Sequence, residues 1–300
     1  APMANDPSTP GSPLPADRLD SLFANHPRSW QQNLYVYPVI SRRSGGLSIG
    51  VNLNPDKACN FHCVYCQVDR TVPPVVRKLD LERLSLELDT MVRLVLSGEL
   101  FAEGPLACTP PSHRALRDIA FSGDGEPTTS PRFLDAVRLT AELRDRHGLD
   151  HTRLVLITDA AYLDRPMVRE ALTVLDANNG EIWAKLDAGT ETHFQLVNRP
   201  NVSLEKVIEN ITEAARLRPI VIQSMWMNMN GQPPPHDEVD AFAARLNQII
   251  THGGRLQMVQ IYTIARQTAE SYVTPLEDDH LRHLADRVRA IVAVPVSIYS

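Results

Sequence analysis

The chain has 300 residues, of which 43% are hydrophobic and 22% charged, and its formal net charge is -6 at pH 7. This composition excludes a disordered chain, and no apolar run approaches the roughly 18 residues that a membrane-spanning helix needs. The excess of acidic residues excludes an overall basic field that would hold the protein on nucleic acid or anionic lipid. We therefore expect a globular protein with no membrane partner.

The cysteine content predicts the cellular compartment. The chain has four cysteines, too few for a disulfide scaffold, and three of them lie between positions 59 and 66. Such a cluster is typical of a metal site in a reducing environment. We therefore expect a cytoplasmic protein.

The first 46 residues are predicted to precede the main domain. Residues 1–16 are rich in Pro and Ser and lack the basic and apolar regions of a secretory signal, so we expect a disordered tail. Residues 17–46 form a short N-terminal extension in this prediction. It contains a helical face at Leu19, Leu22 and Phe23 and an apolar stretch at residues 34–40.

From residue 47 onward, short β-branched runs alternate with amphipathic helical patterns, which is typical of βα units in a parallel sheet. Six runs are mostly apolar, as expected for strands that are covered on both faces. No shift in composition interrupts the series, so residues 47–300 are predicted to be one domain, with a possible seventh strand near its end. The six predicted strands are residues 48–53, 119–122, 154–158, 182–187, 220–227 and 256–263.

Five helices are predicted between or after these strands. Leu81, Leu84, Leu88, Met91 and Val95 share one helical face, and Gly98 ends that helix. A second helix begins at Ser130 and Pro131 and ends at Gly148, and further apolar stripes lie within residues 204–211, 239–249 and 281–291. Six βα units are too few for an eight-stranded barrel, so the sheet is either doubly wound or a partial barrel. In both cases ligands bind at the carboxyl ends of the strands.

A cysteine motif follows the first predicted strand. Cys59, Cys63 and Cys66 form a C-x3-C-x2-C run on a loop. Three thiolates can each bind one corner of a [4Fe-4S] cluster and leave one iron with an open coordination position. The alternative is a structural zinc site completed by His62 or Cys108, although structural zinc sites usually show two short-spaced cysteine pairs and this chain has only one group.

Two motifs in the expected order resemble the radical S-adenosylmethionine (radical SAM) superfamily. One is the cysteine run with Tyr65 before its last cysteine, and the other is Ser-Gly-Asp-Gly-Glu-Pro-Thr at residues 122–128. The run Leu-Ser-Ile-Gly-Val-Asn-Leu-Asn-Pro, Lys-Leu-Asp-Ala-Gly at 185–189 and Asn-Arg-Pro at 198–200 further resemble bacterial relatives of the wyosine synthases. This resemblance covers about residues 35–270.

The resemblance implies a partial (β/α)6 TIM-like barrel that binds a [4Fe-4S] cluster and S-adenosylmethionine. It also implies reductive cleavage of S-adenosylmethionine to a 5′-deoxyadenosyl radical, which abstracts hydrogen from a substrate. An external electron donor of flavodoxin or ferredoxin type is expected, because the chain shows no flavodoxin-like domain. No cysteine precedes Cys59, so the second cluster of archaeal and eukaryotic wyosine synthases is not expected.

Four residues at three predicted loops are assigned to the cofactor. The resemblance places Tyr65 near the adenine, and packing of its ring under the cluster is the alternative. Gly125 lets backbone carbonyls approach the ammonium group and Glu126 supplies its counter-charge, whereas the same run read alone is an ordinary turn. The resemblance gives Thr158 a role toward cofactor or substrate, and capping of the next helix is the alternative.

Two charged residues occur on a strand that is otherwise predicted to be buried. Lys185 and Asp187 share one face because side chains alternate along a strand. Buried charges must be paired or serve a ligand. We expect Lys185 to bind the carboxylate of the cofactor and Asp187 its ribose, with a self-satisfied ion pair as the alternative.

The substrate is not determined by these motifs. Asn228, Tyr262, Thr263 and Arg266 follow the fifth and sixth predicted strands, where a substrate would approach. Cys108 is either a hydrogen-atom donor or an uninvolved loop cysteine. The histidines are scattered, and none is assigned a role.

A small molecule, a peptide and an RNA base all stay open as substrates. A wyosine-synthase-like modification of tRNA is one alternative, and a local basic rim would be expected to support it. Another alternative is a non-catalytic iron-sulfur protein for electron transfer or regulation. The residues of the expected rim are Arg42, Arg43, Arg70, Arg77 and Lys78.

Overall fold

The β-strands of this protein are taken from a computed structural model that describes residues 21–23, 30–266, 268 and 270–300. They are β1 Val36–Ser41, β2 Gly46–Val51, β3 Leu116–Phe121, β4 Arg153–Thr158, β5 Gly180–Lys185, β6 Ile220–Met225, β7 Met227–Met229, β8 Leu256–Tyr262, β9 Val273–Pro275 and β10 Val296–Tyr299. Eight strands form one sheet in the order β1-β2-β3-β4-β5-β6-β8-β10. Strand β1 is antiparallel to β2, and the other neighbours are parallel.

The helices lie between the parallel strands. They are α1 Leu81–Ser97, α2 Phe133–Arg146, α3 Pro166–Asp176, α4 Glu191–Asn198, α5 Leu204–Leu217, α6 His236–Thr251 and α7 Asp278–Ile291. The Asp80 side chain caps α1, and Gly98 ends it with a left-handed φ of 81°, as the sequence predicts. The buried stripe of α1 includes Leu84, Leu88 and Met91, which lie in the main hydrophobic core. Burial of this face, more than helix propensity, stabilises α1.

The strand order decides between the two predicted architectures. A doubly wound sheet reverses its order at a switch point, whereas here each parallel strand lies beside the next one along the chain. The sheet curls into a half-barrel with the helices outside. The prediction of a partial (β/α) barrel is therefore confirmed, and the six predicted strands are β2, β3, β4, β5, β6 and β8.

Some elements differ from the prediction. The strand predicted at residues 220–227 ends at Met225, and Met227–Met229 pairs instead with β9 in a separate antiparallel pair. Helices α3 and α4 were not predicted. The expected seventh strand is β10, which pairs in parallel with β8.

The N-terminal predictions are described only in part. The tail at residues 1–16 and Leu19 lie outside the described residues. The apolar stretch at residues 34–40 contains most of β1, which forms an edge of the main sheet, although it lies in the predicted extension. The domain boundaries stay a prediction. In the described part of the chain, no helix is both long and apolar enough to cross a membrane.

Candidate active site

The cysteine loop follows β2 and lies against the end of α4. The backbone N–H of His62 donates to the carbonyl of Asn198 at 3.1 Å, and that of Val64 donates to Val197 at 2.9 Å. The ring of Phe61 packs edge-on against Phe194 with 5.5 Å between the ring centroids. Buried backbone pairing and aromatic packing thus fix the loop although it contains no regular secondary structure.

A cavity of about 330 Å³ fills the concave side of the half-barrel. This volume is within the range of small-molecule sites. Eight of the nine predicted site residues line it: Cys59, Cys63, Cys66, Tyr65, Gly125, Glu126, Thr158 and Lys185. Asp187 does not line the cavity and is 1% exposed. The ends of several strands therefore converge on one site, as the sequence predicts.

The three cysteines are half-buried thiols with different neighbours. Arg70 donates from Nη1 to Cys66 Sγ at 3.2 Å, and Asn198 donates from Nδ2 to Cys63 Sγ at 3.4 Å. Burial raises the pKa of Cys59 to about 12 and that of Cys63 to about 11. These thiols would lose their protons on binding a metal centre.

The cysteine loop does not form a zinc site with the described residues around it. Among the described residues, no three His, Cys, Asp or Glu side chains come close enough to hold a single metal ion. His62 is exposed, and Cys108 is exposed outside the cavity, with Sγ 3.7 Å from the carbonyl oxygen of Pro105. Neither completes a four-ligand site with the cysteine loop. Three thiols that line one cavity without converging on a single ion position fit the corners of a larger cluster better than one tetrahedral ion.

The turn at residues 122–128 packs directly on the cysteine loop. A Cβ atom added to Gly125 would lie 1.9 Å from the carbonyl oxygen of Ala58, so only glycine permits this approach. Asn52, at the end of β2, donates from Nδ2 to Asp124 at 2.8 Å and accepts from the Asp124 N–H at 3.2 Å. The glycine is therefore explained by contact between two loops as well as by its position on the cavity.

Glu126 is buried and saturated with hydrogen bonds. Its Oε1 accepts from the N–H and hydroxyl of Thr128 and from the hydroxyl of Thr158 at 2.7 Å, and its Oε2 accepts from the Asp159 N–H at 2.8 Å. Burial raises the pKa of Glu126, and these hydrogen bonds oppose that rise. The hydroxyl of Thr158 also accepts from the Ala160 N–H at 3.0 Å, so it holds both Glu126 and the following turn.

Asp159 is the unexpected carboxylate of the site. It lines the cavity, is 6% exposed, and accepts from the Ala161 N–H through Oδ1 at 3.0 Å. Its Oδ2 is buried and has no hydrogen-bond partner among the described residues, although the nearby Asn60 side chain lowers the pKa of Asp159. Burial and then Glu126 raise the pKa of Asp159 well above its usual value. A buried carboxylate oxygen without a donor is costly unless a ligand uses it.

Asp187 is the centre of a polar network beneath the cavity. Its Oδ2 accepts from the Tyr65 hydroxyl and from Asn198 Nδ2 at 2.8 Å, and its Oδ1 accepts from the Met225 N–H at 2.8 Å. Lys185 Nζ lies 3.5 Å from Asp187 Oδ1. The ion pair that the sequence left as an alternative is thus present, and both carboxylate oxygens have protein partners.

Lys185 is held as a cation at the cavity wall. Its Nζ donates to the Tyr262 hydroxyl at 2.7 Å and lies 4.9 Å from the centroid of the Tyr65 ring. Burial by itself lowers the pKa of Lys185, but Asp187 and Tyr262 outweigh it and raise that pKa above its usual value. The side chain therefore offers a positive charge and not a neutral amine.

Sequence reasoning missed three residues of the site and misplaced one. Asn198 joins Asp187 to Cys63, and the Asn-Arg-Pro motif was its only signal. Asp159 was not assigned, and Arg70 was assigned only to the expected basic rim, although each follows a predicted site residue closely in sequence. Asn228 does not line the cavity: its Nδ2 donates to the carbonyl of Pro275 within the β7–β9 pair.

Comparison with known proteins identifies the family. The model of the radical SAM superfamily matches residues 53–246, which is well over half of the chain. The chain belongs to this superfamily, and it is by class a radical SAM enzyme whose cofactors are a [4Fe-4S] cluster and S-adenosylmethionine. Tyr65 and the three thiols on one loop fit that cofactor set.

Three curated relatives match this chain at low sequence identity. The chain is 21% identical over 271 residues to a protein of Brachyspira hyodysenteriae named GTPase Obg, covering 88% of this chain and 34% of that protein. It is 22% identical over 249 residues to a UPF0026 protein of Helicobacter pylori, covering 82% and 70%. A UPF0026 protein of Methanocaldococcus jannaschii is 27% identical over 179 residues, covering 58% and 47%. The chain thus spans about a third of the first of these relatives.

Two solved structures share the fold at low sequence identity. One is TYW1 with a lysine-pyruvate adduct, with a TM-score of 0.54 and 12% identity over 92% of this chain and 82% of that one. The other is anSMEcpe with bound AdoMet, with a TM-score of 0.52 and 15% identity over 83% and 63%. These similarities establish the half-barrel fold.

Proposed function

We propose that this chain cleaves S-adenosylmethionine reductively and uses the 5′-deoxyadenosyl radical to take a hydrogen atom from a substrate. Cys59, Cys63 and Cys66 hold the cluster in this proposal, and its fourth iron stays open for the cofactor. The observation that carries the proposal is the position of the three thiols on one wall of a cavity that also collects polar side chains from β4, β5 and β8. When bound, the cluster supplies one electron to the sulfonium, which gives methionine and the radical.

The ammonium group of the cofactor needs a negative partner. Glu126 was the expected one, but both of its oxygens already accept hydrogen bonds from the protein. Asp159 beside it offers a buried oxygen without a donor. We therefore assign the ammonium contact to Asp159, with Glu126 positioning Asp159 through its backbone N–H and Thr158 positioning Glu126 through its hydroxyl. Gly125 lets the turn approach closely enough for its backbone to join this site.

The carboxylate of the cofactor needs a positive partner, and Lys185 is a cation on the cavity wall that interacts electrostatically with Cys63. Asp187 keeps Lys185 charged and orients Tyr65, so we propose that Asp187 positions these two residues and does not bind the ribose directly. The ring of Tyr65 then lies at the adenine side.

The electron comes from outside the chain in this proposal, from a flavodoxin or ferredoxin type of donor. A cluster bound by three thiolates also needs a reducing environment, so we place the protein in the cytoplasm. The substrate is not specified by the fold. A tRNA substrate gains no support from a net charge of -6.

Cofactor turnover tests this proposal without a substrate. Anaerobic reconstitution should give about four iron and four sulfide per chain. With dithionite and S-adenosylmethionine, the reconstituted protein should slowly release 5′-deoxyadenosine and methionine. Replacing any of Cys59, Cys63 or Cys66 by Ala should abolish the cluster and this release, whereas the matched control Cys108→Ala should retain both.

Three results would overturn the proposal or its parts. A colourless protein with one tightly held zinc would remove the cluster. A full cluster without any release of 5′-deoxyadenosine would favour the non-catalytic electron-transfer alternative. Loss of the cluster in Cys108→Ala would make Cys108 a fourth ligand and close the open iron.

A further inference from the structure

We infer that Arg43 forms an oxyanion site in the cavity and binds a carboxylate or phosphate group of a small-molecule substrate. The assignment of this anion to the substrate rests on the proposed function. The site itself is defined by the turn between β1 and β2, which carries Arg43 to the cavity wall. Nothing in the cofactor assignment above uses this side chain.

Two aromatic rings hold the Arg43 guanidinium. Its Cζ lies 5.1 Å from the centroid of Tyr262 on β8 and 6.0 Å from that of Trp183 on β5. The side chain thus spans from the β1–β2 turn to strands on the other side of the half-barrel. Contact with ring faces orients a guanidinium but satisfies none of its five N–H donors.

The other basic side chains of the cavity are already engaged. Lys185 is paired with Asp187, and Arg266 donates from Nη1 to Gln67 at 3.0 Å. Arg42, which also lines the cavity, lies over the ring of Phe23 at 5.6 Å and has a further interaction of its own. Within the described part of the chain, Arg43 makes no hydrogen bond and no ion pair. A half-buried, oriented guanidinium with unused donors at a cavity wall is suited to an anion that offers two oxygen acceptors side by side, such as a carboxylate or phosphate.

The acidic residues of the cavity do not neutralise Arg43. Among the described lining residues these are Asp118, Glu126 and Asp159. Asp118, which lies beside Ser44 of the same turn, is bound by the Ser48 hydroxyl and lies 3.4 Å from Arg153. Glu126 and Asp159 belong to the ammonium site beside the cysteine loop. The Arg43 end of the cavity therefore keeps an uncompensated positive charge.

Calorimetric titration with simple anions tests this site. The anaerobically reconstituted, unreduced protein is titrated with inorganic phosphate and, separately, with acetate at constant ionic strength. One of the two should bind, which identifies the anion class, and Arg43→Gln should weaken that binding about tenfold or more. The matched control Arg77→Gln, an exposed arginine outside the cavity, should bind like the wild type. Arg43→Lys keeps the positive charge but loses the paired N–H donors of the guanidinium, so its affinity for the anion should lie between those of the wild type and Arg43→Gln.

The same titration with saturating S-adenosylmethionine separates this site from the cofactor site. Retained anion binding supports a substrate site, and its loss would mean that Arg43 holds the carboxylate of the cofactor, which overturns the inference. Absence of binding by both anions, or equal binding by the wild type and Arg43→Gln, would also overturn it. Because the titration needs no turnover, anion binding in a protein that never releases 5′-deoxyadenosine would refute the proposed function and leave the anion site intact.

Discussion

The phenol of Tyr65 donates a hydrogen bond to the carboxylate of Asp187, which lies 122 residues further along the chain. This contact ties the cysteine loop to the end of β5. The carboxylate also holds Lys185 and the backbone of Met225, so one buried side chain aligns three parts of the site. Buried polar networks of this kind favour a single geometry, although Oδ1 of Asn198 has no hydrogen-bond partner among the described residues.

The first prediction concerns the ion pair in this network. Asp187→Asn leaves the Lys185 ammonium buried without its carboxylate, so the free energy of unfolding should fall by about 3 kcal/mol. Chemical denaturation monitored by circular dichroism measures this loss. The matched control is Asp176→Asn, which breaks a more exposed pair with Arg218 and should cost less than about 1 kcal/mol. Equal losses of stability in both variants would show that the buried pair contributes no more to stability than the more exposed pair.

The second prediction concerns the contact between the two loops. Gly125→Ala places a methyl group against the carbonyl of Ala58, so the cysteine loop must shift. We expect destabilisation by about 1–3 kcal/mol and a clear loss of iron after reconstitution. Gly98→Ala is the control. Alanine is strained at its φ of 81°, so this substitution also lowers stability, but an added Cβ atom meets no neighbour there and the site is remote in sequence from the cysteine loop. Normal iron content in Gly125→Ala would refute the steric argument.

The third prediction concerns the carboxylate without a donor. Asp159→Asn removes a buried charge, so the cluster-free protein should gain about 1 kcal/mol of stability at pH 8. The raised pKa of native Asp159 means that the folded wild type takes up a proton before the unfolded chain does. The wild type therefore recovers this stability as the pH falls through that pKa toward about 4, and the difference between the two proteins disappears.

The same substitution should weaken S-adenosylmethionine binding about tenfold or more, because it removes the acceptor of the ammonium group. Equilibrium binding to the reconstituted, unreduced protein measures this change. Asp150→Asn, at an exposed loop position, should change neither stability nor binding. A less stable Asp159→Asn protein with unaltered cofactor affinity would assign Asp159 a purely structural role.

The fourth prediction concerns the hydrogen bond from Arg70 to Cys66. A donor to a cluster sulfur stabilises the more negative, reduced state, so Arg70→Gln should lower the reduction potential by on the order of 30 mV. Redox titration followed by electron paramagnetic resonance measures the potential. Arg77→Gln in the same segment is exposed and should leave it unchanged. An equal shift in both variants would indicate a general charge effect and not the specific hydrogen bond.

Much of the fold could be predicted because local patterns determine it. Apolar runs covered on both faces predicted the six parallel strands, and Gly98 marked the end of α1. Strand β1 was not predicted as a strand: it contains Pro38, which is tolerated there because β1 is an edge strand. Helix α3 begins at Pro166, a usual first helical position, and that signal was available but not used.

The sequence predicted which residue types form the site but not how their side chains contact one another. Residue types and strand ends indicated which side chains meet at the cavity. They did not indicate that Asp187 would be used by Tyr65 and Asn198, or that Glu126 would be saturated while Asp159 is not. Such partnerships depend on contacts between residues distant in sequence. The position of Arg43 against Tyr262 likewise follows from the curl of the sheet and not from any local pattern.

The proposed chemistry requires that the three cysteines leave one iron of the cluster open for S-adenosylmethionine. Electron paramagnetic resonance of the reduced, reconstituted protein tests it most directly, with spectra recorded before and after adding S-adenosylmethionine. Binding of the cofactor to the open iron should change the g-values of the reduced cluster. Adenosine, which lacks the methionine moiety of the cofactor, should leave them unchanged. A reduced cluster whose spectrum does not respond to S-adenosylmethionine would show that no iron is open to the cofactor.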